Sequence, residues 1–501
     1  MERLPRGIEF LLLFFAGSCI TLSLAPFDYW PLALLALFLL HHALIDVNAA
    51  TAARRGWFFG CGMFFSGTFW IYISIHEHGS APAPLAAFLT GSFCLFMSLW
   101  LVPFAWLYAR RYSTLPFGSS LAFAAIWLLS EWVRLWLLTG FPWLFVGYSQ
   151  LDGPLQSLAP VVGTLGIGFL LAYTAATLSR CLHRKKPHPH LLLVALFWLA
   201  PLAIGNIEWT EPKGTKTYSV AMVQPDVHQA IKWKKEFRDK ILQDILDTTE
   251  KLGHHDIVIW PETAIPEIYQ HVFPFLEELD ELARTTDTAM VVGVPTRWYN
   301  GEQAIYHNSL ITLGNASGIY HKQKLVPFGE YVPMEKSLRG LIRFFDLPMS
   351  SFHPGPPDQE PMEVKDLLLM PNICYEVVYP DFVSENARQA DLLLTVSNDA
   401  WFGDSIGPIQ HMQIARMRAL ENGRYLLRDT NNGITAVVDH HGKVVASLPR
   451  FSRGILEASV EPRQGLTPIA RYGTLPAVLF SFAILLLLPG RHARKLLPQR
   501  R

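Results

Sequence analysis

Seven apolar segments precede residue 210, over roughly 8–25, 29–46, 57–75, 85–109, 119–138, 160–180 and 190–206, and an eighth covers about 473–490. Each is near the ~20 residues an α-helix needs to cross a bilayer core. Such a chain has to place most of these segments in lipid or bury them against one another. Only 17% of the 501 residues are charged, against about 25% in a soluble domain, and mean hydropathy is +0.22. The first apolar run is followed almost at once by the second, so it reads as a first span rather than a cleaved leader. Formal net charge is zero. That balance excludes nucleic acid as the main partner, because phosphate binding needs a basic excess.

The basic residues set the expected orientation. Arg3 and Arg6 precede the first segment, Arg54 and Arg55 separate the second and third, and Arg110 and Arg111 separate the fourth and fifth. Arg180, Arg184, Lys185 and Lys186 separate the sixth and seventh; Arg491, Arg494, Lys495, Arg500 and Arg501 follow the eighth. The intervening short loops, near 26–28, 76–84 and 139–159, hold neither Lys nor Arg. With eight spans every basic cluster falls on one side, the cytoplasmic side by the positive-inside rule. Both termini are then inside, and the long polar stretch between the seventh and eighth segments is outside.

That stretch predicts an α/β domain. Apolar, β-rich runs lie at 218–223, 256–260, 289–294, 309–313, 367–374, 392–396 and 435–438, with amphipathic helical patterns at 234–252 and 273–285. Runs apolar on both faces belong to sheets covered on both sides. The Pro- and His-rich segment 183–190 reads as a solvated turn rather than a metal site.

Five cysteines occur, and four of them (Cys19, Cys61, Cys94 and Cys181) sit in or beside apolar segments. Cys374 stands alone in the polar stretch, at the end of an apolar run. Glu262 ends the run before it in Trp260-Pro261-Glu262, and Lys322 follows Tyr320-His321. Three polar groups at strand ends can meet at one sheet edge. A thiol to attack a carbonyl, a carboxylate to move its proton and an ammonium to hold the oxyanion are the parts of acyl transfer through a thioester. Each residue also has a structural reading: Cys374 as a small core hydrophobe, Glu262 as a helix cap, Lys322 as a solvated surface lysine. Glu131 and Arg134, three apart in the fifth segment, fit either a structural ion pair or an intramembrane functional site.

The three strings Trp260-Pro261-Glu262, Tyr320-His321-Lys322 and Cys374-Tyr375-Glu376 resemble the Glu, Lys and Cys signatures of the nitrilase (carbon–nitrogen hydrolase) superfamily. Longer strings narrow the resemblance. Leu325-Val326-Pro327-Phe328-Gly329-Glu330-Tyr331-Val332-Pro333, Ser397-Asn398-Asp399-Ala400-Trp401-Phe402-Gly403, Thr430-Asn431-Asn432-Gly433-Ile434-Thr435 and Gly140-Phe141-Pro142-Trp143 are similar to segments of the apolipoprotein N-acyltransferase family, the membrane-bound branch of that superfamily. The resemblance covers nearly the whole chain.

It implies a polytopic α-helical membrane domain of eight spans (1–209, completed by 471–501 with the basic tail) and an inserted nitrilase-like αββα sandwich (210–470). It implies Glu262 as general base, Lys322 as oxyanion stabiliser and Cys374 as nucleophile, with Glu330, Tyr375 and Glu376 in support. Trp233 and Asn308 match functional positions. Phe141, Trp143, Phe344, Phe345, Trp401 and Phe402 are the aromatics expected to cover the site, Trp143 and Trp401 as substrate contacts. Lys324 stands where the superfamily's lysine motif commonly has histidine, so two lysines lie two residues apart and Lys322 is the one that follows the Tyr-x pair.

The implied reaction takes an acyl chain from a phospholipid, phosphatidylethanolamine by the family, onto Cys374 and then onto the α-amine of a diacylglyceryl-modified cysteine of an apolipoprotein. The alternative is a membrane-tethered nitrilase-type amidase, which shares the triad but has no use for eight spans. A ligand-binding transporter or receptor is a further rival. No metal or organic cofactor is implied, and a monomer in the bacterial inner membrane is expected.

Overall fold

The computed structural model describes residues 5–333 and 351–489. Arg3 and the five basic residues after the eighth segment lie outside these residues, as do Phe344 and Phe345. Two compact units emerge: Met1–Tyr72, Pro84–Ile207 and Tyr472–Arg501 in one, Ile73–Ala83 and Glu208–Arg471 in the other.

Among the described residues, each of the eight apolar segments is largely helical. The helices include Arg6–Leu22, Pro31–Leu44, Ala49–Gly67, Ser119–Val133, Leu191–Ile204 and Leu475–Leu487. Ala83–Arg111 and Gln156–Arg184 are long and apolar enough to cross a membrane, and the bent pair Ala49–Gly67 with Ile71–His78 makes a third if taken as one span. Glycine allows the closest approach. A Cβ on Gly17 would lie 2.0 Å from the Phe59 carbonyl oxygen, and one on Gly62 would lie 1.8 Å from that of Phe14. Helices Arg6–Leu22 and Ala49–Gly67 therefore meet backbone to backbone, as small residues permit in apolar surroundings. Beside that contact Glu9 is buried and paired with Arg55 at 2.6 Å and Arg54 at 2.9 Å. Phe15, Phe88, Leu192, Leu202, Leu486 and Leu487 are all exposed, an apolar surface that water disfavours.

The second unit holds two large sheets. One has six strands in the order Gly454–Val460, Tyr218–Gln224, Ile257–Ile259, Ala289–Asn300, Gln303–Gly314 and Ile319–His321. The other has seven, in the order Val444–Ser447, Ala436–Val438, Leu426–Thr430, Leu392–Ser397, Leu367–Ile373, Met362–Val364 and Ala316–Ser317. Side chains alternate across each strand. Val220, Met222, Ile257 and Ile259 enter a core shared with Leu369, Leu392, Leu394 and Leu427 of the facing sheet. Ala221, Val223, Val258 and Trp260 turn the other way, onto Ile241 and Ile245 of helix Lys235–Leu252 and Leu276 and Leu279 of helix Phe273–Thr285. Helices Pro380–Ala387 and Gly407–Asn422 accompany the second sheet. The unit is thus an α/β nitrilase-like fold whose central strands are buried on both faces, so that most of them read as unbroken apolar runs.

Strands 289–294 and 309–313 are longer than their apolar cores, because Ala289–Asn300 and Gln303–Gly314 continue as a hairpin into polar residues. Strands Met362–Val364, Leu426–Thr430, Val444–Ser447 and Gly454–Val460 fall outside the apolar runs: Gly454–Val460 and Val444–Ser447 are half-exposed at sheet edges, and Leu426–Thr430 is buried throughout but carries Arg428 and Asp429.

Candidate active site

Glu262 lies in the turn after strand Ile257–Ile259. The neighbouring strand passes beneath that turn at Gly293, where a Cβ would come within 2.2 Å of the Pro261 oxygen and 2.5 Å of the Thr263 nitrogen. Only glycine lets the two backbones approach this closely. Asn308 is set in strand Gln303–Gly314, and its carbonyl accepts the Lys322 N–H at 2.8 Å where Ile319–His321 ends. Cys374 follows strand Leu367–Ile373, with φ +53°. A non-glycine residue in that region is held at a cost of about 1–3 kcal/mol by its surroundings.

The buried side chains converge. Lys322 Nζ lies 3.3 Å from Glu262 Oε1 and 2.8 Å from Glu330 Oε1. Asn308 Nδ2 donates to the same two oxygens, at 2.7 and 3.0 Å. Glu262 Oε2 accepts the Asn398 N–H at 2.7 Å, and Glu330 Oε2 accepts that of Val326 at 2.8 Å. Lys322 is only 1% exposed, so the surface-lysine reading fails. No helix starts at Glu262, so the cap reading fails too. Cys374 is half-buried against the shared core.

Burial opposes charge on Lys322, but Glu262 and Glu330 outweigh it and hold the ammonium above the ordinary lysine value. Burial and the Glu262 carboxylate push the Cys374 thiol well above its usual value, while Lys322 pulls it down. The resting sulfur is therefore protonated, and it can act as a nucleophile only where a neighbouring base takes its proton.

Glu376 ties two motif segments together. One oxygen accepts the Ile373 N–H at 2.6 Å; the other accepts the Gln323 N–H at 2.6 Å and the Lys324 N–H at 3.2 Å. Tyr320 Oη donates to both at 3.0 Å. Burial pushes this carboxyl up to about 7 against those donors. Tyr375 is buried, its ring edge-on to Tyr379 at 5.4 Å. Lys324 is exposed, with Nζ 5.7 Å from the Phe382 ring centroid and 5.9 Å from that of Tyr379.

Trp233 is half-buried next to Lys232. Lys232, which the sequence did not single out, is buried and donates to the Glu262 carbonyl at 3.3 Å. Burial lowers it to about 8, with Glu262 opposing. Trp401 and Phe402 are half-buried. Segment Ile73–Ala83 reaches this loop: Ser74 Oγ donates to the Trp401 carbonyl at 2.7 Å, and the His78 ring meets the Trp401 ring at 5.3 Å. Trp143 is buried in the other unit, near Trp70 at 5.3 Å and Phe141 at 6.1 Å.

Glu131 and Arg134 attract each other without closing to a direct salt bridge. Glu131 accepts the Val146 N–H at 3.1 Å, and the Arg134 guanidinium lies 4.8 Å from the Phe145 ring centroid. Among the described residues, Glu208, His440 and His441 form the group that could hold a metal ion. Arg463 lies 3.3 Å from Glu208 Oε2, the oxygen His440 faces at 3.4 Å, so a cation there competes with a guanidinium.

Residues 16–177 match the family model "Apolipoprotein N-acyltransferase N-terminal domain", and residues 219–465 match "Carbon-nitrogen hydrolase". The apolipoprotein N-acyltransferase of Azotobacter vinelandii is 47% identical over 485 residues, covering 95% of this chain and 93% of its own. Those of Pseudomonas paraeruginosa and Pseudomonas aeruginosa PAO1 are each 45% identical over 499 residues, covering 98% of this chain and 97% of their own.

Proposed function

The chain belongs to the apolipoprotein N-acyltransferase family and is an N-acyltransferase, and from that premise we propose that Cys374 carries the acyl chain between a phospholipid and an apolipoprotein. The carrying observation is the buried Lys322 shared by Glu262 and Glu330 at the strand ends beside Cys374.

In the first half, Cys374 Sγ attacks the ester carbonyl and its proton passes to Glu262. Lys322 stabilises the tetrahedral oxyanion. Collapse breaks the C–O bond, and the lysophospholipid oxygen leaves with the proton held by Glu262. In the second half, the free α-amine of the diacylglyceryl-cysteine attacks the thioester. A C–N bond forms, the C–S bond breaks, and the amine's proton returns through Glu262 to the sulfur. Asn308 and Glu330 hold Glu262 and Lys322 in register. Trp233, Trp143 and Trp401 contact the lipid parts of the substrates, with Tyr375 and Glu376 supporting the nucleophile.

Phosphatidylethanolamine is the donor in this reading and the enzyme acts as a monomer. The membrane domain is 1–209 with seven spans, 210–470 is the periplasmic catalytic domain, and 471–501 supplies the eighth span and a cytoplasmic tail in the inner membrane. Support comes from the eight apolar helical segments and from basic clusters confined to alternate loops. A water-poor site favours transfer over hydrolysis.

The test is intact mass spectrometry of the full chain in phosphatidylethanolamine vesicles. Wild-type protein is expected to carry a fatty-acyl adduct on Cys374, discharged by a diacylglyceryl-cysteine peptide, and Cys374→Ala to carry none. A variant that still N-acylates the peptide at the wild-type rate overturns the reading.

A further inference from the structure

We propose that His411, held by Arg428 and Asp399, is a positioning residue that fixes the peptide plane between Cys374 and Tyr375 and so aims the Tyr375 N–H at the oxyanion. The inference rests on Cys374 being the acylated nucleophile.

His411 lies in helix Gly407–Asn422 and is 1% exposed. Its Nε2 is 3.2 Å from the Cys374 carbonyl oxygen. A carbonyl only accepts, so Nε2 carries the hydrogen. Nδ1 is 3.1 Å from Arg428 Nη2 and 3.1 Å from Asp399 Oδ1. Arg428 Nη2 also donates to Asp399 Oδ2 at 2.7 Å. Burial and the Arg428 charge hold the imidazole below its ordinary value, with Asp399 opposing. The ring therefore donates from Nε2 to the Cys374 carbonyl, while its Nδ1 is clamped between Arg428 and Asp399. Arg428 and Asp399 are both buried, so the ring cannot be reoriented without breaking a buried charged contact.

Cys374 is thereby gripped on both sides. Glu376 Oε2 takes the Ile373 N–H before it, and His411 takes the carbonyl after it. Between the two grips the residue stays at φ +53°. The peptide that follows is planar and trans, so its C=O and N–H point in opposite directions. Anchoring the Cys374 oxygen on His411 sets the direction of the Tyr375 N–H, an amide one residue from the attacking sulfur. Removing one oxyanion donor costs about 10²–10³ in rate. Loosening a donor that is retained costs less.

The experiment uses the full chain in phosphatidylethanolamine vesicles and compares two reactions at Cys374. Acylation by the phospholipid passes through an oxyanion; alkylation by iodoacetamide displaces iodide and does not. His411→Phe is expected to slow acylation at saturating lipid about 10- to 100-fold, with alkylation and half-saturating lipid changed less than about two-fold. His411→Gln, whose amide can donate from near the Nε2 position, is expected to recover most of the acylation rate, and this arm holds even where the Phe variant fails to fold. Equal slowing of both reactions, or a Gln variant as slow as the Phe variant while folded, overturns the inference. Absence of the Cys374 adduct in wild-type protein overturns the function reading first and this inference with it.

Discussion

Removing Lys322 tests the charge balance of the site. Its ammonium faces Glu330 at 2.8 Å and Glu262 at 3.3 Å, both carboxylates buried with it. At an effective dielectric near 20 the two attractions are on the order of 6 and 5 kcal/mol. Most of that offsets the cost of bringing three charges out of water. The measurable loss in Lys322→Met is then about 3–5 kcal/mol, the range for breaking one partner out of a buried pair. For a domain of this size that is roughly 10 °C in Tm. The charge can be rebalanced elsewhere: adding Glu330→Gln to Lys322→Met leaves one carboxylate and two amides around the cavity. The double variant is expected to regain at least about half of the lost stability, a coupling of the size found between contacting residues. Acylation should stay lost, because the oxyanion has no ammonium. Near-UV circular dichroism melts in detergent and intact mass of the acyl adduct read the two effects separately. A Lys322→Met protein that melts with wild type, or a double variant that recovers acylation, refutes this reasoning.

Other outcomes are equally specific. Asn308→Asp should be more damaging to stability and to acylation than Asn308→Ala, since it sets a third carboxylate where Nδ2 now lies 2.7 and 3.0 Å from two others; paired melts decide it. Glu376→Gln turns an N–H donor toward either the Ile373 amide or the Gln323 and Lys324 amides, so a loss of about 2–4 kcal/mol and slower acylation are expected in melts and single-turnover assays. Lys232 is lowered to about 8, so between 8 and its unfolded value near 10.4 the unfolded chain binds the extra proton and stability rises with pH. Lys232→Met should flatten that rise, and melts from pH 7 to 10.5 in both proteins measure it.

The sequence made the site's vocabulary legible but not its wiring. Glu262, Lys322, Glu330, Cys374 and Glu376 all stand in short strings at the ends of apolar runs, and family strings mark them. His411 and Lys232 carry no such mark. His411 sits in a helix buried nearly all round, where no polar face distinguishes it, and its partners lie 12, 17 and 37 residues away. Lys232 reads as one of several lysines in Lys232-Trp233-Lys234-Lys235, and only the fold buries it. Most inner strands were visible because both their faces are apolar; Leu426–Thr430 was not, because it buries Arg428, Asp429 and Thr430, and Gly454–Val460 was not, because its edge position leaves half its side chains in water. Glu131 and Arg134 show the limit of spacing: the two charges act on each other as one helical face implies, and each also takes a contact that spacing does not name.

The second unit is assembled from two separated pieces of polypeptide, since Ile73–Ala83 joins Glu208–Arg471. During synthesis Ser74 leaves the ribosome 327 residues ahead of the Trp401 carbonyl it binds. That early piece has to wait, unmatched, while the intervening helices are made, and the closing contact has a long-range order that slows folding. A recombinant fragment beginning at Glu208 would lack this piece altogether, leaving the Trp401 loop without its Ser74 and His78 contacts. Trimming the enzyme to a soluble hydrolase-like body thus removes part of that body along with the greasy half.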